Sequence, residues 1–175
     1  MGLVGGYVKT CDPVSVASPT PAITALVRAG VEHRVHAYDH DPAIDAYGDE
    51  AVAAMGVEPG RVFKTLIAST GTALVVAVVP VPTMLDLKAL ATAIGAKRIE
   101  MADPAAAERS TGYLVGAISP LGQKRRLTTI LDESALAFET IFCSAGRRGL
   151  EVELAPRALI DVTGGAAARI ARVRT

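Results

Sequence analysis

Between Ser110 and Gly122 the chain reads Ser-Thr-Gly-Tyr-Leu-Val-Gly-Ala-Ile-Ser-Pro-Leu-Gly, three glycines, a proline and three aliphatic hydroxyls around an apolar run. Glycine lets a backbone take positive φ or come close to a ligand, and proline stiffens the exit. Gln123-Lys124-Arg125-Arg126 follows at once and adds positive charge. A backbone cradle beside cations suits an anionic or ester-bearing ligand, such as the end of a nucleic acid. The same residues also suit a glycine-bent barrel strand running into a solvated turn.

Lys64 is the second candidate. It is the sole charge in Val62-Phe63-Lys64-Thr65-Leu66-Ile67, and an unpaired buried ammonium is costly, so it must reach solvent, a counter-ion or a ligand. On a strand it alternates with Phe63 and Thr65, so it is expected to face a cavity while they turn away. An edge-strand lysine that blunts aggregation is the competing reading. His33, His36 and His40 cluster with Asp39 and Asp41, but on a strand His36 and His40 share one face and His33 and Asp39 the other. Three metal ligands therefore do not converge, and no metal is expected. Cys143 lies in an apolar run and is expected to be an inert, packed thiol. Ser119 precedes a proline and lacks a G-x-S-x-G elbow, which makes it a poor hydrolase nucleophile.

The elements that must position these residues read as mixed α and β. Residues 1–18 are expected to be an N-terminal extension and 19–175 a single domain. Thr20-Pro21 caps and opens a helix that stops at Gly30. A strand is expected over His33–Tyr38, a helix over Gly48–Met55 closed by Gly56, and a turn at Pro59-Gly60. Val62–Ser69 and Ala73–Val79 form a hairpin across Thr70-Gly71-Thr72. Asp86 caps a helix over Leu87–Ile94, and Asp103-Pro104 starts one running to Glu108. Strands follow at Thr128–Leu131 and Phe138–Ser144, then a last helix from Ala155-Pro156. The pattern predicts an α+β fold: a mostly antiparallel β-barrel or curved sheet with flanking helices.

Half of the 175 residues are hydrophobic, yet aromatics make up 4% and tryptophan is absent. The core must be built from Val, Ile, Leu and Ala. The most apolar run, Ala73–Leu85, contains Pro80 and Pro82 and is too short to span a bilayer. The first residues lack the pattern of a signal peptide, so a cytoplasmic protein with no membrane partner is expected. Two cysteines without a CxxC pairing indicate neither a disulfide framework nor a zinc site. Net charge is zero but divided: six Lys and Arg against nine Asp and Glu up to Gly95, twelve against nine beyond it. Lys97-Arg98, Lys124–Arg126 and Arg147-Arg148 carry the excess, a patch able to touch RNA phosphates but too modest for strong non-specific binding; no DNA partner is expected.

Seven segments in register, Tyr38–Pro42, Gly48–Glu50, Phe63–Leu66, Asp86–Lys88, Glu100–Pro104, Ser110–Arg126 and Gly146–Leu150, closely resemble the YbaK/EbsC family of aminoacyl-tRNA deacylases, in particular those acting on Cys-tRNA(Pro). The family is related to the editing domains of bacterial prolyl-tRNA synthetases. The resemblance covers roughly Thr20 to Arg172 and implies a mixed β-barrel flanked by helices. It implies an enzyme that breaks the ester between amino acid and terminal ribose of mischarged tRNA, without a cofactor. In the cysteine-specific members the substrate's own thiol attacks its carbonyl and leaves as a thiolactone. By the resemblance Lys64 is the central cation and amides near Gly116 meet the reacting carbonyl. Tyr38, Tyr47, Thr65 and Glu151 line the pocket, and Ser119 assists positioning. Aminoacyl-tRNA is then the partner, with prolyl-tRNA synthetase a further one to consider.

Four positions depart from the family pattern. Ala117 and Ala145 stand where relatives have glycine, Tyr47 where they have phenylalanine, and Glu151 where some have aspartate or serine. A methyl at 117 or 145 fits where φ is negative and the space is open. These changes bear on the choice of amino acid, because a pocket discriminates one methylene by only about 1–3 kcal/mol. Two readings stand beside Cys-tRNA(Pro) deacylation: a deacylase for Ala-tRNA(Pro) or another small aminoacyl-tRNA, and a non-catalytic module that binds tRNA ends or nucleotides.

Overall fold

The computed structural model of the chain describes residues 18–174. The expected extension therefore lies, except for Ser18, outside the described residues, as does Cys11. The described chain forms helices α1 (Pro21–Arg28), α2 (Tyr47–Met55), α3 (Leu87–Ile94), α4 (Pro104–Thr111) and α5 (Pro156–Thr163). The longer strands are β1 (His33–Ala37), β2 (Val62–Ser69), β3 (Leu74–Pro80), β6 (Thr128–Asp132), β7 (Ile141–Arg147) and β8 (Leu150–Leu154). Short strands β4 (Thr83–Leu85), β5 (Glu100–Met101), β9 (Ala166–Ala168) and β10 (Ala171–Val173) complete the set.

Local chemistry explains the helices. Thr20 Oγ1 accepts the Ile23 N–H and Pro21 fills the first turn of α1. Asp86 accepts the Lys88 and Ala89 N–H groups at 3.0 Å each and starts α3, which Gly95 ends in the left-handed region. Asp103 caps α4 through the Ala106 N–H, and that helix runs past the expected Glu108 to Thr111 before Gly112 stops it.

The main sheet has the order β1-β8-β7-β2-β3-β6-β9. Five of the eight strand pairings are antiparallel; β2–β7, β3–β6 and β6–β9 are parallel. The α+β expectation stands. A barrel does not: β1 and β9 end the sheet and are not paired with each other, so the sheet stays open. The bent-strand reading of 110–122 also fails. Beyond Thr111 this segment is irregular, with Tyr113 Oη buried and donating to Leu121 O at 2.6 Å.

Apolar groups cover both faces of the sheet. Phe63, Ile67, Val76, Val78 and Val152 pack with Leu26 of α1 and Leu159 of α5. On the opposite face Ala68, Val75, Ala77 and Val79 meet Leu90 of α3, while Val62 and Phe142 meet Ala51 of α2.

One feature of the sheet makes room for a site. β2 pairs with β3 along one edge from Phe63 to Ser69. Along the other edge β7 pairs only at Val62 and Phe63, and β5 only at Ala68 and Ser69. β7 and β8 are out of register between Ser144 and Arg147, as in a bulge that bends a strand away. Lys64 to Ile67 thus have no strand neighbour on that edge, and Ala102 N–H donates to Ile67 O across the far end.

Candidate functional site

A cleft of about 490 Å³ fills this gap in the sheet. Because it meets β2 edge-on, side chains from both faces of that strand reach it. Lys64 and Thr65 both line the cleft, although alternation puts them on opposite faces. The expectation that Thr65 turns away from the Lys64 cavity is thereby corrected. Thr65 Oγ1 is buried and has no hydrogen-bond partner, the usual sign of a group awaiting ligand or water.

Lys64 Nζ donates to Val81 O at 3.2 Å and Thr83 O at 2.6 Å, in the chain that joins β3 and β4. Among the described residues no carboxylate lies within 4.0 Å of it. Burial lowers its pKa, and the Arg174 cation adds to that effect, while Asp49 opposes it. A cation anchored by carbonyls and lacking a counter-ion is set to receive an anion.

The opposite wall comes from the loop after α4. Gly116 has φ +87°, and a Cβ there would overlap the Tyr47 ring, which occupies that space. Arg148 stacks its guanidinium 4.7 Å from the centre of the same ring and donates to Val115 O at 3.0 Å. Val115 N–H is taken by Glu108 and Ala117 N–H by Leu114 O. Among the described residues Gly116 N–H has no protein acceptor, and neither do Leu114, Ile118 and Ser119 N–H, so Gly116 is one of several free donors of this loop. Tyr47 is placed by α2. The loop leading into α2 is tied down by Glu50, whose carboxylate accepts the Asp41 N–H and pairs with His40 Nδ1, each at 2.7 Å. The Asp41 amide, and then His40, hold the Glu50 carboxyl below its usual range.

Glu151 lines the cleft from β8, directly across from Ser144 of β7 and His36 of β1. Burial pushes its pKa up to about 8, so at neutral pH it keeps a proton it can donate. Tyr38 also lines the cleft, its hydroxyl pushed up to about 12 by burial and then by Glu151.

Of the residues singled out in the sequence, Lys64, Thr65, Gly116, Tyr38, Tyr47 and Glu151 meet in one cleft. Ser119 does not. It is fully buried, its Oγ accepts the Leu121 N–H, and its role is to hold the loop. Nor do Lys124–Arg126 line the cleft, although the Lys124 and Arg125 N–H groups donate to Thr111 O and Ser110 O; Arg147, Arg148 and Arg174 supply the charge in the cleft. Ala117 and Ala145 have negative φ, so their methyl groups bring no backbone strain. Sequence reasoning missed Ser144, Asp49 and Arg174 as lining residues. Ser144 sits two residues before the Gly146–Leu150 motif and could have been found from it, whereas nothing local marks Arg174.

The histidines have partners of their own. His33 bonds Val31 O and His36 pairs with Glu153, while His40 lines the cleft with its Nδ1 paired to Glu50. Cys143 is fully buried and outside the cleft lining, its thiol pushed well up by burial. Among the described residues no three His, Cys, Asp or Glu side chains gather as for a metal ion, and no helix is long and apolar enough to cross a membrane.

Known proteins are similar to this chain in sequence and fold. The family model described as "Aminoacyl-tRNA editing domain" matches residues 41–162. EbsC of Enterococcus faecalis, provisionally named a Cys-tRNA(Pro)/Cys-tRNA(Cys) deacylase, is 41% identical over 151 residues, covering 84% of this chain and 92% of its own. YwhH of Bacillus subtilis is 28% identical over 114 residues, covering 65% and 72%. A solved structure described as a proposed trans-editing enzyme for prolyl tRNA synthetase superposes with a TM-score of 0.75 at 23% identity, covering 87% of this chain and 95% of that one. A hypothetical protein of known structure gives 0.79 at 22%, covering 87% and 99%.

Proposed function

This chain belongs to the aminoacyl-tRNA editing domain family, in its YbaK/EbsC branch, and from that premise we propose that it is a trans-editing deacylase that clears Cys-tRNA(Pro). The observation that carries the mechanism is the open edge of β2. It gathers a free cation, a free amide and an unpartnered hydroxyl around one cleft, yet offers no activated protein nucleophile. Cys143 and Ser119 lie outside it, and Ser144, whose Oγ donates to Ala117 O, faces a Glu151 that holds its proton.

We take the reacting nucleophile to be the substrate's own thiol, as the family resemblance implies, and a cleft without an activated protein nucleophile among the described residues fits that route. Its sulfur bonds to the ester carbonyl carbon, the carbon–oxygen bond to the ribose breaks, and the thiol proton ends on the ribose hydroxyl. Cysteine leaves as a cyclic thiolactone and the tRNA is freed. The cleft contributes by folding the cysteinyl group into attack distance. Gly116 N–H supplies a donor for the oxygen that gains charge. Lys64 holds the nucleotide end, Thr65 Oγ1 gains its missing partner, and Tyr38, Tyr47 and Glu151 shape the amino-acid side. Aminoacyl-tRNA as substrate places the reaction in the cytoplasm. Selection of tRNA(Pro) over other tRNAs is a task for a partner such as prolyl-tRNA synthetase.

The test is deacylation of Cys-tRNA(Pro), Ala-tRNA(Pro) and Pro-tRNA(Pro) side by side, with Lys64→Ala as control. The expected outcome is loss of the cysteinyl ester alone, with thiolactone recovered and a drop of about 10²-fold or more in the variant. Turnover of the alanyl ester would replace substrate-thiol attack by a water reaction. Tight tRNA binding without loss of any ester would make the chain a binding module.

A further inference from the structure

Two cations meet at one neutral oxygen inside the cleft. Val81 O accepts from Lys64 Nζ at 3.2 Å and from an Arg174 guanidinium nitrogen at 3.4 Å. Both side chains line the cleft. Like charges this close repel, and among the described residues no carboxylate comes within 4.0 Å of either. Asp49, whose charge Lys64 feels, lies beyond that distance. Glu50 is spent on His40 and the Asp41 amide. Arg174 is exposed at its own position and could point to solvent, yet it is directed inward. It also lies outside the family match, which ends at residue 162.

We propose that Arg174 joins Lys64 in binding the phosphate on the 5′ side of the terminal ribose of the RNA substrate, Lys64 acting as a point charge and Arg174 as a planar fork. The assignment rests on the deacylase reading for its ligand. In an aminoacyl-tRNA the amino acid's carboxylate is consumed in the ester, so the anions left to answer two cations are phosphates. The α-ammonium group is repelled by the same pair and belongs away from it.

Equilibrium binding of adenosine and of adenosine 5′-monophosphate to the full chain tests the site, because the two ligands differ only in that phosphate. The monophosphate is expected to bind the native chain about tenfold or more tightly than adenosine. Arg174→Gln loses most of that preference and Arg174→Lys keeps part of it. In deacylation Arg174→Gln raises KM while leaving kcat nearly unchanged. Equal binding of the two ligands, no monophosphate binding at millimolar concentration, or an undiminished preference in Arg174→Gln overturns the site. Turnover of Cys-tRNA(Pro) without a phosphate preference overturns this site alone. A phosphate preference lost in Arg174→Gln, in a chain that cleaves no aminoacyl ester, supports the site and overturns the deacylase reading instead.

Discussion

Burial on β8 holds a proton on Glu151 at a pH where ordinary glutamates have lost theirs, and among the described residues no cation lies within 4.0 Å of its carboxyl. Its folded pKa of about 8 stands above the ordinary glutamate value of 4.5 that suits the unfolded chain. Between these values the native state holds a proton that the unfolded state releases, so stability must fall as pH rises. The contribution is fully present below about 4.5 and lost once pH passes about 8. Glu151→Gln removes the titration. Urea unfolding from pH 4 to 9 is expected to show native chain and variant diverging with pH, the variant gaining on the order of a few kcal/mol relative to the native chain at the alkaline end. Parallel pH profiles would mean that the carboxyl ionises freely, and Glu151 could then not donate a proton in the cleft.

The elements around the cleft are held less by their own propensity than by one another, and the loop between α4 and β6 is the clearest case. Its Gly116 takes φ +87° while the Tyr47 ring fills the space a side chain would need. Gly116→Ala is therefore expected to cost about 1–3 kcal/mol. Adding Tyr47→Ala removes the overlap but leaves the backbone strain, so the double variant should recover only part of what Gly116→Ala loses relative to Tyr47→Ala alone. Full recovery in thermal unfolding would show that φ plays no part. The same contrast explains what the sequence made legible. The helices of Thr20-Pro21, Asp86 and Asp103-Pro104 announce themselves because a cap and the N–H donors it accepts from lie within three residues. Lys64 stood out as a lone charge in an apolar strand, and the motifs brought Tyr38, Tyr47 and Glu151 with it. Hidden were features made by distant pairing. β8 reads Leu-Glu-Val-Glu-Leu, an alternation that suits a strand, but the sequence does not show that β1 and β7 flank it. β4, β5, β9 and β10 are two or three residues each and exist through their partners. The edge-on cleft that admits Thr65 beside Lys64 depends on β7 leaving β2 after Phe63, which no local pattern encodes.

At the scale of the whole molecule, one buried carboxylate joins the sheet to the C-terminal segment that completes the site. Asp132, at the end of β6, is 3% exposed. Its Oδ2 accepts the Ile170 and Ala171 N–H groups at 2.9 and 2.8 Å, and its Oδ1 accepts the Ser134 N–H and hydroxyl. Ile170 O in turn receives the Asp86 N–H at the start of α3. Ala171 opens β10, which pairs with β4 and leads directly to Arg174. The β4 residue Thr83 offers the carbonyl that holds Lys64. Asp132 thus fixes, through backbone N–H groups, the ribbon that leads to Arg174 and offers the Thr83 carbonyl to Lys64. Asp132→Ala strands three N–H groups, those of Ser134, Ala171 and the fully buried Ile170, and is expected to cost roughly 2–4 kcal/mol in urea unfolding. It should also erase the Arg174-dependent preference for adenosine 5′-monophosphate under conditions where the chain stays folded. Asp132→Asn keeps one oxygen acceptor and should retain part of both. A stability loss with the preference intact would mean that β4 pairing alone aims Arg174, and the carboxylate would then serve the core and not the site.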